Sequence, residues 1–268
     1  MCPNAGDSSS QTDTWTNIYG APIAARLNSQ ALSANLTASD ISSLIPLCAF
    51  ETLATMSPSP FCALFTSSEF ALYEYYSDLD KYYKTGCAFF IRLPKYLYLT
   101  EGYRYGQALG PVQGVGYLNE LLSRLTGLPV RDGTQTNRTL DSSPRTFPLD
   151  RNLYVDFSHD NQMIAIYAAM GLFKQAKPLD PTAPDPERTW ITSHLVPFSG
   201  RMVTERLTCS NRRGLSKSQF VRILVNDAVQ PLGFCGGDRN GLCELGAFVE
   251  SQRYARHNGE GDFEKCFD

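Results

Sequence analysis

The sequence predicts an α/β fold with an added helical part (α/β plus α), and three observations carry that prediction. Apolar side chains between residues 12 and 127 recur mainly at helical spacing. Residues 152–157 alternate in the manner of a strand and lead straight into a helical run. Residues 201–209 and 220–225 read as two strands around a polar loop, a long hairpin. A chain of 268 residues is long enough to bury a sizeable core.

The elements follow in order. Trp15, Ile18, Tyr19, Ile23 and Leu27 mark a first helix, with Pro22 placed to kink it. Ile41, Leu44 and Ile45 mark a second, which should stop near Pro46. Phe70, Tyr73, Tyr76, Leu79 and Tyr83 mark a third. Val115, Leu118, Leu121, Leu122 and Leu125 mark a fourth, stopped by Gly127. These stripes are expected to be core. Residues 129–148 are polar and contain proline, so they read as loop. Met163, Ile164, Ile166, Tyr167, Met170 and Leu172 form a further helical run. The loop Asn211-Arg212-Arg213-Gly214 reads as a solvated turn, and residues 242–254 as a terminal helix. There is no internal repeat.

The junction Asp156-Phe157-Ser158-His159-Asp160-Asn161 stands out. It puts a His-Asp pair at the carboxyl end of a strand, where a helix begins. Open α/β sheets bind ligands there, and helix N-termini favour anions. The ordinary reading makes Asp160 an N-cap and His159 a turn residue.

Composition excludes some functions. Charged residues make up 19% and aromatics 12% of a chain with net charge −3, which fits a globular protein and argues against a nucleic-acid partner. No window reads as a membrane span; the most apolar stretch is broken by Arg92, Pro94 and Lys95. Eight cysteines and the sequons Asn35-Leu36-Thr37 and Asn137-Arg138-Thr139 suggest secretion. Yet Met1-Cys2-Pro3-Asn4-Ala5-Gly6-Asp7 lacks the apolar core of a signal peptide. The cysteines have no zinc spacing and only His159, His194 and His257 are available, so no metal or other cofactor is expected. The run Asp238-Arg239-Asn240-Gly241 lacks the alternating acids and closing Glu of a calcium loop. Flanked by Cys235 and Cys243, it reads as a short disulfide loop.

The junction resembles the His-Asp motif of histidine acid phosphatases in their fungal phytase form. Further blocks are similar in the same order: Gly110-Pro111-Val112-Gln113-Gly114-Val115-Gly116-Tyr117, Thr134-Gln135-Thr136-Asn137-Arg138-Thr139-Leu140-Asp141, Val196-Pro197-Phe198-Ser199-Gly200-Arg201 and Phe234-Cys235-Gly236-Gly237-Asp238-Arg239-Asn240-Gly241-Leu242-Cys243. The tail Gly261-Asp262-Phe263-Glu264-Lys265-Cys266 also agrees. The resemblance implies a phosphoglycerate-mutase-like histidine phosphatase fold: an α/β domain on a mixed sheet, a smaller helical domain, and an active site between them. It implies 3-phytase-like hydrolysis of phosphate monoesters, typically phytate (inositol hexakisphosphate), through a phosphohistidine. Asp160 would protonate the leaving alkoxide and His159 would hydrogen-bond the phosphate. Lys81 and Asn161 match positions lining the phytate pocket. The resemblance further implies the disulfides Cys2–Cys266, Cys48–Cys62 and Cys235–Cys243, leaving Cys209 and Cys87 unpaired. Residues 1–127 would be a mainly helical cap domain and return helix, and 128–268 the C-terminal part of the phosphatase domain.

Two departures qualify these expectations. The family's Arg-His-Gly-x-Arg-x-Pro nucleophile motif does not occur in the sequence; Arg256-His257-Asn258-Gly259 lacks its arginine and proline. The chain is therefore expected to begin near the middle of a longer secreted enzyme, to lack the nucleophile and a central strand, and to be inactive alone. Residues 87–104 have no counterpart in the family and read as an insertion, either a translated intron or a genuine extension. The alternative is a non-catalytic secreted fragment or pseudoenzyme. Oligomeric state is not fixed by the sequence.

Overall fold

A computed structural model describes residues 2–84, 106–210 and 217–268. The insertion read at 87–104, with Cys87, and the turn at 211–214 lie outside the described residues.

Helix α1 (Ser9–Gln30) buries Trp15, Tyr19, Ile23 and Leu27 along one stripe. Ile18, expected in that stripe, is 45% exposed, because it falls on the far side of the turn. Pro22 lies inside the helix. Helix α2 (Ala38–Leu44) starts at a capping box: Thr37 Oγ1 accepts from the Asp40 amide and Asp40 Oδ2 accepts from the Thr37 amide. It crosses α1 closely, since a Cβ on Gly20 would lie 2.7 Å from the Ala38 carbonyl oxygen.

The chain does not go to loop after Pro46 but begins α3 (Leu47–Thr55), which buries no residue. Helix α4 (Ser67–Lys84) buries Tyr75, Asp78, Leu79 and Tyr82. The Trp15 indole of α1 donates to the Leu72 carbonyl at 2.8 Å and meets the Tyr75 ring edge-on. The expected Tyr73 and Tyr76 stack on each other at the rim of this core. Helix α5 (Val115–Thr126) buries Val115, Leu118, Leu121, Leu122 and Leu125 and ends at Gly127, whose φ of +74° provides the left-handed cap. The stretch read as loop carries one turn of helix, α6 (Arg138–Asp141), capped by Asn137.

The next element departs from expectation. Asn152 lies in a bend, and residues 153–157 belong to no described strand or helix. The alternating pattern encoded which side chains share a face, but a strand also needs a partner for its backbone, and no described segment provides one. Helix α7 (Asp160–Met170) follows, with Ile164 to Met170 buried. After the single-turn α8 (Thr192–Leu195), strands β1 (Met202–Ser210) and β2 (Lys217–Val225) pair antiparallel, Met202 opposite Val225, as the predicted hairpin. Residues Asn226 and Asp227, both with positive φ, turn β2 back onto β3 (Ala228–Val229).

The expected terminal helix is divided. Cys243, bonded to Cys235, is drawn with Glu244 into β4 (Cys243–Glu244) against β2. Helix α9 (Leu245–Ser251) starts only after it, capped by Glu244, and α10 (Arg253–Arg256) and α11 (Asp262–Lys265) complete the chain. All strand pairs among the described residues are antiparallel, so the mixed sheet implied by the resemblance is not present there.

One contiguous cluster of buried side chains joins the helices to the sheet, from Trp15 through Leu118 and Tyr167 to Val221 and Phe248. The bonds Cys2–Cys266, Cys48–Cys62 and Cys235–Cys243 are present, and Cys209 is free and exposed.

Candidate active site at the start of helix α7

The site forms where the last turn of α4 meets the first turn of α7. A glycine seats α7 there. A Cβ on Gly114, just ahead of α5, would stand 2.4 Å from the Ala165 carbonyl oxygen, so only glycine lets this backbone approach. Gln162 in the first turn of α7 donates to the Gln113 carbonyl at 3.1 Å and ties the same two segments together. Residue 159 is the N-cap: His159 has extended dihedrals and makes no side-chain capping bond, and Asp160 occupies the first turn. Asp160 is thus not the N-cap of the ordinary reading, although its Oδ1 accepts from the Asn161 amide at 2.8 Å.

Lys81 reaches across from α4. Its Nζ lies 2.6 Å from Asp160 Oδ2 and donates to Asn161 Oδ1 at 2.7 Å. It also sits 3.8 Å from Asp80 Oδ2, and Asp80 Oδ1 accepts from Ser8 at 2.6 Å. The Lys81 side chain is 14% exposed and that of Asp160 is 50% exposed, so a shielded cation supports an accessible carboxylate. Partial burial works to raise the Asp160 carboxyl, but the Lys81 hydrogen bond, the Asn161 amide and the charges of Lys81 and His159 outweigh it. The carboxyl is held below its ordinary range.

The structure brings Lys81, Asp160 and Asn161 into one hydrogen-bonded group. His159 is exposed beside them. An accessible carboxylate, an adjacent ammonium and an imidazole at the start of an eleven-residue helix can together bind an oxyanion and exchange a proton with it. His257, by contrast, is exposed at the end of α10, with Nδ1 2.8 Å from the Arg253 carbonyl.

A supporting cluster was not read from the sequence. Arg124 of α5 holds both carboxylate oxygens of Asp156, one at 3.2 Å, just ahead of the His-Asp pair. Its guanidinium carbon lies 5.1 Å from each of the Phe147 and Tyr154 ring centroids. Tyr117 is half-buried next to Asp156, and that burial pushes its phenol up to about 12. The available signal was the Glu120–Arg124 pair, an acid and a base four residues apart on α5.

Comparison with known proteins gives the family. The family described as histidine phosphatase superfamily (branch 2) matches residues 2–226. Phytase A of Emericella nidulans is 41% identical over 260 residues, covering 94% of this chain and 51% of that protein. Phytase A of Aspergillus fumigatus is 39% identical over 260 residues, again 94% of this chain and 51% of the other. The crystal structure of the phytase from D. castellii superposes with a TM-score of 0.69 at 22% identity, over 96% of this chain and 47% of that one. The chain spans about half the length of the relatives it matches.

Proposed function

The chain belongs to the histidine phosphatase superfamily, branch 2, and from that membership we propose that it carries the proton-donating side of a phosphomonoester hydrolase site acting on phytate. The observation that supports this reading is the Lys81–Asp160–Asn161 group beside His159 at the start of α7. Lys81, Asn161 and His159 bind the phosphate oxygens, and Asp160 protonates the leaving alkoxide. The resting ion pair keeps Asp160 ionised, so a bound phosphate has a second task. By drawing Lys81 away and adding negative charge nearby, it raises the Asp160 carboxyl and loads it with a proton.

The covalent step belongs to a histidine in an Arg-His-Gly-x-Arg-x-Pro motif, which the 268 residues do not contain. The chain alone therefore binds phytate weakly and does not hydrolyse it. Residues 1–127 serve as cap domain and return helix, and 128–268 contribute to the phosphatase domain. Three disulfides and two sequons at exposed asparagines, Asn35 and Asn137, support a secreted glycoprotein.

Calorimetric titration of phytate, together with a phosphate-release assay on the purified chain, tests the reading. Lys81→Ala should weaken binding about tenfold, with no release above a buffer blank in either protein. Release by the chain alone would refute the inactivity, and unchanged binding by Lys81→Ala would refute the site.

A further inference from the structure

A shielded arginine stands behind the His-Asp pair. The Arg124 side chain on α5 is only 14% exposed. Its guanidinium packs against the Phe147 and Tyr154 rings and grips both carboxylate oxygens of Asp156. Glu120, one turn earlier on α5, adds a second carboxylate 3.9 Å away. The Arg124 Nε is buried and has no hydrogen-bond partner among the described residues, so the planar group is held by its rings and its carboxylates.

Beyond this clamp the chain runs almost untethered into α7. Among the described residues, Phe157 and Ser158 make no hydrogen bond, and Phe157 is 97% exposed. The next fixed point is the His159 carbonyl, which accepts from the Met163 amide at 2.9 Å as α7 begins. The His159 ring makes no capping bond. Asp160, by contrast, is held by Lys81 and by the Asn161 amide. The place of the imidazole therefore depends on the last anchored residue before it, Asp156, three positions upstream. Anchoring so short a tether removes conformations in advance, and a ligand that uses the imidazole then loses less entropy on binding.

The geometry points to Arg124 as the positioning residue of His159: through Asp156 it holds the imidazole beside Asp160, in the pose that meets a phosphate oxygen. The inference rests on the phosphate-binding role proposed above for His159. Arg124 itself touches no ligand.

Two measurements on the full 268-residue chain test it. The first needs no ligand. Nuclear relaxation at the His159 amide and ring should show an ordered residue in the parent chain. Arg124→Gln and Asp156→Asn should both make it mobile, with β1 and the end of α7 unchanged. One variant removes a positive charge and the other a negative charge, so an effect common to both is positional and not electrostatic. Arg124→Lys keeps the charge but not the two-pronged bond and should restore part of the order. Arg222→Gln, which breaks a pair with Glu205 on the sheet, should leave His159 as it was. Should Arg124→Gln lose its fold by circular dichroism, Asp156→Asn, at a 38% exposed side chain, carries both measurements.

The second measurement is a pair of double-mutant cycles read by calorimetric titration of phytate. Arg124→Gln should weaken binding about fivefold in the parent and in a Lys81→Ala background, and hardly at all in a His159→Ala background. Unchanged order at His159 would overturn the inference. So would loosening spread over α5 and α7, or an equal loss of affinity in both backgrounds, which is what a purely structural arginine gives. A parent chain that binds no phytate refutes the function proposed above, and the relaxation results by themselves then decide whether Arg124 positions His159.

Discussion

At the scale of single residues, buried carboxylates divide into those ringed by neutral donors and those that hold a buried cation. Asp132 is nearly buried. Burial works to raise its carboxyl, but donors from Asn119, Thr134, Gln135 and Thr136 surround it and hold it below the ordinary carboxylate range. A carboxyl depressed in the folded state gives stability that is fully present above its unfolded value, near 3.8, and is lost as pH falls through the lower folded value. Asp132→Asn should therefore flatten the loss of stability with acid below about pH 4, as read from urea midpoints across pH. A variant that kept the parental slope would assign the acid limb to other groups. Asp78 is different: fully buried on α4, it accepts from Arg188 Nε at 2.8 Å and from the Thr192 amide at 2.6 Å. Asp78→Ala strands the Arg188 charge and should cost about 3–5 kcal/mol in denaturant unfolding. A loss below about 1 kcal/mol would show that water reaches the pair.

At the scale of elements, the sequence was most legible where a residue's surroundings are its own helical neighbours. The stripes of α1, α4, α5 and α7 gave their helices, and Gly127 gave a stop, because helical pairing is local. The hairpin was legible for the same reason: its partner strand is the next element. Helix α3 was missed because its apolar residues Leu47, Phe50 and Leu53 face outward, so they never formed a buried stripe. Residues 152–157 were misread because alternation specifies faces and not partners. The Lys81–Asp160 contact joins residues far apart in sequence, and resemblance placed both in the site where local pattern could not. The seat of α7 gives the element-scale prediction. Gly114→Ala drives a Cβ into the Ala165 backbone, which cannot move without moving the helix. It should cost about 1–3 kcal/mol and shift the Asp160 and Asn161 amide resonances more than those of β1 or β2. Equal small shifts throughout would mean that α5 yields in place of α7.

At the scale of the whole molecule, the proposed chemistry is best tested in a complete catalytic frame. We consider a single-chain chimera in which the portion of Emericella nidulans phytase A outside the match is joined to this chain. In it, Asp160→Asn should lower turnover of phytate by about 10²–10⁴-fold, the usual contribution of a positioned general acid. The loss should be much smaller with a nitrophenyl phosphate, whose leaving group needs little protonation. Equal slowing of both substrates, or of neither, would remove Asp160 from the acid role.

The Cys2–Cys266 bond has a mechanical consequence. With the two Cα atoms 4.6 Å apart and nearly the entire chain between them, force applied at the two ends passes through one covalent link and bypasses the fold. In optical tweezers attached at the ends, the oxidised protein should stretch only by its few terminal residues, with no unfolding step at forces that rupture ordinary domains. Adding a reductant should make the helices and the hairpin bear load, and a long extension should appear. The same protein is thus inextensible or unfoldable under tension according to the redox state of one pair of sulfurs.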